Sequence, residues 1–336
     1  MNGFIHPSAH GELSLDQTSE FLRSNDGYLI FTHTHPDADT LGSALALKKV
    51  LLQLGKRAEV CCLDKIPQFL RFMYRDGEVL LSEDDEKLSG SETFLSVDVA
   101  TRELLGKSAL IDSHGIDLAI DHHRTHIPFS QKRLVDADAS SCGEIIYEIA
   151  VSLAGGELSA DVAECIYAAI SADTGSFKYS NTTSHTMRIA AKLIERGIDA
   201  SAISTHLFDE KSIVQLRAEG LAYSKMQSFA EGRGVIVWFD LCDYIEHELC
   251  EEEMGTISSC IKTASGTDMA IAVRYHDKGE YKVSVRSSAN VDASAFCRAF
   301  GGGGHLRASG CTVYAESAQE AAKLLLQKAE EIMGTK

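Results

Sequence analysis

Histidines and acids that could bind a metal ion lie close together near the start of the chain. The stretch 28–43 runs from apolar residues into His33, Asp37 and Asp39. Imidazole nitrogen and carboxylate oxygen suit a divalent ion such as Mn²⁺ better than an ion that prefers thiolates. Taken alone, these residues could equally decorate a loop and cap the helix that we predict to open at about Ser43.

Three later apolar stretches are each followed by residues of the same types. These residues are Asp98, then Asp121 with His122 and His123, and finally Asp173. In an open α/β sheet, ligands bind in the crevice at the carboxyl ends of the strands. Four separate stretches therefore predict a single metal site at such a crevice.

The elements that would position these residues follow an α/β pattern. An apolar strand from Tyr28, a helix ending at Gly55 and a strand over 57–63 form the strand–helix–strand order of a doubly wound, mainly parallel sheet. A helix from Ala160 to Ile170 would deliver Asp173.

The composition changes beyond residue 230. Strand-like runs at 234–239, 269–275 and 281–285 precede a helix over 318–333, which predicts a smaller α/β domain with a mixed sheet. An amphipathic stretch over 212–229 separates the two patterns. The predicted organisation is a catalytic domain (1–208), a linker helix (209–230) that bridges the domains or helps form a dimer, and a second domain (231–336).

The ordered motifs resemble those of the DHH phosphoesterase superfamily, which includes RecJ-like nucleases. The matching motifs are His33-x-x-x-Asp37-x-Asp39, the lone Asp98, Asp121-His122-His123 and Asp173-Thr-Gly. Ser284-Val-Arg286-Ser and Gly301-Gly-Gly-Gly-His305 resemble the DHH-associated substrate-binding domain. In size and motif order the chain is similar to the stand-alone branch of oligoribonucleases and PAP (3′-phosphoadenosine 5′-phosphate) phosphatases.

This resemblance implies a site for two Mn²⁺ ions, with Mg²⁺ or Co²⁺ as alternatives. It places His33, Asp37 and Asp98 on one ion, and Asp39, Asp98, His122 and Asp173 on the other. Asp98 would bridge the two. Such a pair of ions activates water and clamps the phosphoryl oxygens during in-line displacement.

The remaining residues of the motifs have catalytic roles by the same resemblance. Asp121 would accept a hydrogen bond from an imidazole and fix its tautomer. His123 would then face the substrate phosphate, donating a hydrogen bond or assisting the leaving oxygen. His35 stands where the family usually has a small polar residue, so a third imidazole at the site is an open alternative.

Arginine and glycine residues are the candidates for substrate binding. Arg286 suits bidentate phosphate contact, and Gly301, Gly302, Gly303 and Gly304 would let backbone amides approach an anion, with His305 pairing with a terminal phosphate. A glycine run is equally typical of a flexible linker. For Arg298 and Arg307 a surface role is an equal alternative, and for Arg102 it is the favoured one.

The bulk composition restricts the class of substrate. The 336 residues carry a net charge of −17, which disfavours long duplex nucleic acid and favours a small phosphate ester. Nine scattered cysteines without a CxxC motif, an N-terminus without signal-peptide features and the lack of a long apolar run predict a cytoplasmic protein that does not enter the membrane. The acidic stretch 82–88 is expected to be a solvated surface.

Residues and resemblance together predict a phosphoesterase that hydrolyses very short RNA to mononucleotides and dephosphorylates pAp. A phosphodiesterase acting on cyclic di-AMP or pApA is the alternative within the same chemistry. A metal-stabilised RNA-binding protein without catalysis is the alternative of another class. A homodimer is expected on the resemblance alone.

Overall fold

The computed structural model describes residues 11–81, 92–304 and 306–334, which form two compact units. The first unit ends at Glu210 and the second begins at Lys211. The acidic stretch 82–88 and His305 lie outside the described residues.

The first unit contains a six-stranded sheet in which every strand pairing is parallel. Its strands are β1 (Tyr28–Phe31), β2 (Ala58–Cys61), β3 (Val79–Leu80), β4 (Thr93–Val97), β5 (Leu118–Asp121) and β6 (Lys132–Val135). Their spatial order is β3-β2-β1-β4-β5-β6. The order reverses between β1 and β4, which is the switch point where ligands bind in doubly wound folds.

Helices cover both faces of this sheet, which confirms the predicted fold class. They are α1 (Leu15–Ser24), α2 (Ala38–Gln53), α3 (Ala109–His114), α4 (Cys142–Ala154), α5 (Ala160–Asp173), α6 (Ser184–Ile194) and α7 (Ala200–Ser204). Tyr28 and Ile30 of β1 point into the larger core with α2, α4 and α5, whereas Leu29 and Phe31 point into a smaller core with α3. This alternation is what a strand buried on both faces requires.

Helix α2 begins at Ala38, so the predicted opening at about Ser43 was wrong. The Asp37 side chain caps the helix by accepting hydrogen bonds from the backbone N–H groups of Asp39 and Thr40. Asp39 therefore lies in the first helical turn rather than on a loop.

The second unit contains a mixed six-stranded sheet, as predicted. Its strands are β7 (Gln227–Phe229), β8 (Gly234–Phe239), β9 (Met269–Asp277), β10 (Glu280–Ser287), β11 (Gly303–Gly304) and β12 (Ala308–Tyr314), in the order β11-β12-β10-β9-β8-β7. Its helices are α8 (Ile213–Lys225), α9 (Leu241–Glu246), α10 (Ile257–Ile261), α11 (Ala293–Arg298) and α12 (Ala318–Met333). Among the described strands of this second sheet, only β8 and β9 pair in parallel.

Helix α8 lies within the stretch expected to be the linker helix and packs within the second unit. It ends at Lys225, so the prediction of a helix to residue 229 was wrong, because residues 227–229 pair with β8 as strand β7. Ala218 and Ala222 are buried in a core with Val235 and Val237 of β8. A bridging or dimer-forming role for this helix stays a prediction. None of the helices in the described ranges is both long and apolar enough to cross a membrane.

Candidate metal centre

His33 and Asp37 meet Asp98 where β1 leads into α2. The Nδ1 atom of His33 lies 2.8 Å from the carbonyl oxygen of Thr34, which leaves Nε2 for other partners. That Nε2 lies 3.7 Å from Asp37 Oδ1 and 3.6 Å from Asp98 Oδ2. One nitrogen and two carboxylate oxygens therefore converge at this position.

Asp98 lies directly after β4 in a strained backbone conformation. Its φ angle is +60°, a left-handed value that is uncommon for residues other than glycine. Its backbone N–H donates to the carbonyl oxygen of Ile120 in β5. The side chain is 3% exposed, and Oδ1 is buried with no hydrogen-bond partner among the described residues. A buried carboxylate oxygen without a partner is costly unless a cation or water satisfies it.

The second group of candidate ligands lies around His122. Its Nε2 atom lies 3.4 Å from Asp98 Oδ1, 3.7 Å from Asp39 Oδ2 and 3.6 Å from Asp173 Oδ2. Asp173 is the last residue of α5. It therefore reaches the crevice from the end of a helix, unlike the ligands that follow strands.

These six residues, His33, Asp37, Asp39, Asp98, His122 and Asp173, are called the His–Asp cluster below. Within it, two triads, His33–Asp37–Asp98 and Asp39–His122–Asp173, each hold three potential ligand atoms within 4.8 Å of one another. The nitrogen–oxygen separations of 3.4–3.7 Å exceed those of direct hydrogen bonds. Together with the unpartnered Asp98 Oδ1, this donor set fits a pair of divalent cations.

The cluster carries strongly shifted pKa values. Burial, reinforced by the charges of Asp98 and Asp173, raises the pKa of Asp39 well above its usual range. Burial likewise raises the pKa of Asp173 to about 6. Burial alone would lower the pKa of His33, but the nearby carboxylates of Asp37 and Asp98 raise it to about 11. Because ligands must lose their protons to bind a metal, cations and protons compete for this cluster.

Helix α4 fixes Asp39 in place. The backbone N–H groups of Cys142 and Gly143 donate to its two carboxylate oxygens, each over 2.8 Å. The hydroxyl of Ser43 donates to the same carboxylate over 3.2 Å. The positive end of a helix dipole thus supports a carboxylate that is only 1% exposed.

Asp121 organises two imidazoles beside the cluster. Its Oδ1 lies 2.7 Å from His123 Nδ1, and its Oδ2 lies 2.6 Å from His126 Nδ1. Burial would raise the pKa of Asp121, but the hydrogen bonds from His123 and His126 lower it well below the usual range. With Nδ1 occupied in this way, His123 has Nε2 left for another partner.

His126 was missed as a site residue in the sequence analysis. Its side chain is 5% exposed, and its Nε2 is buried without a partner among the described residues. His126 follows the adjacent pair His122–His123 by three residues, and this proximity could have marked it as a candidate. No local pattern indicates that this side chain turns inward.

Two other predicted candidates lie away from the cluster. The His35 side chain is 93% exposed and faces Asp64, so the structure does not bring it to the cluster as a third imidazole. Arg102 pairs with Asp112, in agreement with the surface role that we favoured.

In the candidate anion site of the second unit, two of the four glycines pack closely against β12. A Cβ atom on Gly302 would lie 2.2 Å from the carbonyl oxygen of Gly310, and one on Gly304 would lie 2.8 Å from that of Ala308. Close packing against β12 therefore already requires glycine at these two positions. Gly301 and Gly303 have open space around them.

The arginines of the second unit also have local partners. Arg286 lies on β10 opposite Ala308 of β12 and donates to the Val285 carbonyl. Arg298 donates to the Ser294 hydroxyl, and Arg307 donates to backbone carbonyls of the 288–291 turn. These contacts leave phosphate binding by the three arginines as a prediction.

Two protein-family models match the chain. The model of the DHH family N-terminal domain matches residues 28–170, and the model of the DHHA1 domain matches residues 239–334. The first range contains five members of the His–Asp cluster, and the second contains Arg286 and the glycine run.

Individual relatives are similar over nearly the whole chain. The chain is 30% identical to a Thermus thermophilus protein named bifunctional oligoribonuclease and PAP phosphatase NrnA, over 93% of this chain and 92% of that one. An exopolyphosphatase-related protein from Bacteroides fragilis superposes with a TM-score of 0.88 at 23% identity, covering 95% and 96% of the two chains. Thermus thermophilus RecJ in complex with Mn²⁺ superposes with a TM-score of 0.57 at 16% identity, covering 95% of this chain and 54% of RecJ.

Proposed function

Because this chain belongs to the DHH family of phosphoesterases, we propose that it hydrolyses very short RNA oligonucleotides to mononucleotides and converts pAp to AMP. The Thermus relative named for these two activities supports this choice of substrates. The proposed cofactor is a pair of divalent cations, with Mn²⁺ as the physiological ion.

The observation that carries the proposal is the convergence on Asp98. Its two carboxylate oxygens face His33 on one side and His122 on the other, at 3.6 and 3.4 Å. We assign His33, Asp37 and Asp98 to one cation, and Asp39, Asp98, His122 and Asp173 to the other. When bound, the cations would supply activation of water and neutralisation of phosphoryl charge.

The chain's own residues then orient the substrate and handle the proton. Asp121 holds the Nδ1 proton of His123, so His123 can present Nε2–H to the phosphate or to the leaving oxygen. The left-handed backbone of Asp98 stores strain, which is common where a side chain is held in a functional position.

The second unit is proposed to bind the substrate anion. Arg286 supplies a planar guanidinium, and the open glycines Gly301 and Gly303 give access to backbone amides. We retain His305 as a partner for a terminal phosphate, and the domain limits 1–208, 209–230 and 231–336. The net charge of −17 favours short substrates over long polyanions. A homodimer and a cytoplasmic location remain predictions.

Product analysis with Mn²⁺ tests the proposal. Purified protein is incubated with pAp, pApA, cyclic di-AMP and RNAs from two to about two dozen nucleotides. We expect rapid turnover of pAp and of the shortest RNAs, fading with length. A preference for cyclic di-AMP or pApA would favour a dinucleotide phosphodiesterase, and no turnover of any substrate would favour a non-catalytic RNA-binding protein.

A further inference from the structure

A small cavity opens beside the His–Asp cluster, and five of its eight lining residues are apolar or aromatic. Its volume is about 210 Å³. The lining residues are Asp37, Ala38, Asp39, Phe69, Ala172, Asp173, Leu207 and Phe208. The three acids belong to the cluster, so the cavity, called the aromatic pocket below, is continuous with the proposed metal centre.

The two phenylalanines of the aromatic pocket are not core residues. Phe69 lies on the short 3₁₀ helix Gln68–Met73 and is 51% exposed. Phe208 lies on the π-helical turn Thr205–Asp209 and is half-buried. Neither ring belongs to a hydrophobic core cluster in the described part of the chain. A π-helical turn often marks a functional position, and both rings are accessible to a ligand.

A stacked pair of side chains ties the two walls of the pocket together. The ring of Phe72, from the same 3₁₀ helix as Phe69, stacks on His206 at 4.6 Å between centroids and 22° between planes. The Nδ1 atom of His206 lies 2.7 Å from Glu210 Oε2, which orients the imidazole. This contact links the segment bearing Phe69 to the turn bearing Phe208.

The chemistry of the pocket restricts its occupant. Pockets for drug-sized ligands measure roughly 300–1,000 Å³, so a smaller cavity fits only part of a nucleotide. Aromatic walls favour a flat, uncharged ring, whereas the acids beside them repel a phosphate that is not met by cations. The aromatic wall and the acidic wall are parts of one cavity, so a nucleotide could place its base against one and its phosphate near the other, with the ribose between them.

We propose that Phe69 and Phe208 form a stacking subsite for the base of the nucleotide whose phosphate lies at the His–Asp cluster. The inference rests on the proposed function and adds a specificity-determining contact to it. Stacking accepts any base because every base has a π face. The subsite would therefore select nucleotides over other phosphate esters without selecting one base.

Steady-state kinetics of Phe69→Ala and Phe208→Ala test the subsite. Loss of one stacking contact should raise KM for pAp by roughly 5- to 100-fold with a smaller effect on kcat. Phe69→Tyr keeps an aromatic ring, so its KM for pAp should stay close to that of the wild type. Tyr314→Ala is a matched control, because Tyr314 is 74% exposed and lies at the opposite end of the β10–β12 ladder from Arg286.

A baseless substrate separates stacking from general damage. The ribose bisphosphate that lacks adenine should be hydrolysed equally well by the wild type and by both alanine variants. If the alanine variants lost hydrolytic activity equally on pAp and on the baseless analogue, the subsite would be overturned. An unchanged KM for pAp in both variants would also overturn it.

Binding of AMP to the Mn²⁺-loaded protein, measured by calorimetry, makes the test independent of turnover. If the wild type hydrolyses no nucleotide yet binds AMP with an affinity that falls in both alanine variants, the subsite stands and the proposed function fails. If the substitutions leave AMP affinity unchanged, the subsite is rejected whatever the activity.

Discussion

Asp98 combines three features that are unfavourable in the metal-free protein. It is buried, its backbone is left-handed and one of its oxygens has no partner among the described residues. Each feature costs free energy in the metal-free protein. A cation on each oxygen would offset the buried charge.

Replacing Asp98 by Ala should abolish turnover, because both proposed cations lose a ligand at once. The loss should exceed the roughly 10- to 100-fold cost of removing residues that only support a ligand. Metal content measured on the folded variant should drop below that of the wild type. Asp138→Ala is the control, since Asp138 is exposed and pairs with Arg124.

Asp98→Ala protein that stayed active and kept two cations would contradict the bridging role. A variant that failed to fold would be recognised by circular dichroism. In that case Asp98→Asn, which keeps the shape of the side chain, replaces it in the same assay.

Replacing Asp121 by Asn should shift the pH profile of catalysis. Burial would lower the pKa of His123, but the hydrogen bond to Asp121 raises it. Without the negative charge of that carboxylate the His123 pKa falls, so the protonated imidazole is lost at lower pH. If His123 acts as a donor, the alkaline limb of kcat moves to lower pH and kcat falls roughly 10- to 100-fold. An unchanged profile would remove His123 from proton transfer.

At the scale of elements, the N-terminus of α4 is a rigid support for Asp39. Gly143 allows this arrangement, because a Cβ atom there would lie 2.6 Å from Ala169 Cβ and 3.4 Å from Asp39 Oδ1. The site thus depends on close packing between α4 and α5.

Gly143→Ala should destabilise the protein by about 1–3 kcal/mol through overpacking and weaken metal binding by displacing Asp39. Gly220→Ala is a matched control, because a Cβ atom on Gly220 of α8 meets nothing within 4 Å. That control should stabilise the protein by about 0.4–1 kcal/mol. Chemical denaturation with and without Mn²⁺ measures both effects, and equal behaviour of the two variants would contradict the packing argument.

At the scale of the whole molecule, folding and metal binding should be coupled. The pKa of Asp173 is raised to about 6 in the metal-free protein. A raised carboxyl pKa contributes stability that is fully present below its unfolded value near 4 and is lost as the pH rises through about 6. The metal-free first unit should therefore become less stable between pH 4 and 7.

Added Mn²⁺ should reverse this loss of stability, because cations take the place of the protons on the buried carboxyls. At a concentration 100 times the Kd, one site contributes about 2.7 kcal/mol. The rise in Tm on adding Mn²⁺ should therefore be larger at pH 7.5 than at pH 5, and Asp39→Ala should reduce it. A rise that was equal at both pH values would show that the buried carboxyls are not the groups that exchange protons for metal.

The fold class and the identity of the clustered residues could be predicted from the sequence. Apolar strands alternating with helices allow few arrangements other than a parallel sheet, and parallel strands bring their carboxyl ends to one edge. The residues that follow β1, β4 and β5 therefore had to approach one another. The approach of Asp173 from the end of α5 was not implied by this rule.

Which side chains turn inward, and which residues support them, depends on contacts that form only in the folded chain. His35 and His126 look alike in the sequence, yet one is exposed and the other is buried against Asp121. Phe69 and Phe208 are separated by more than a hundred residues, and the aromatic pocket exists only because folding brings them to the same cavity. Local patterns record periodicity and turn chemistry, whereas the direction of a loop side chain depends on contacts with residues distant in the chain.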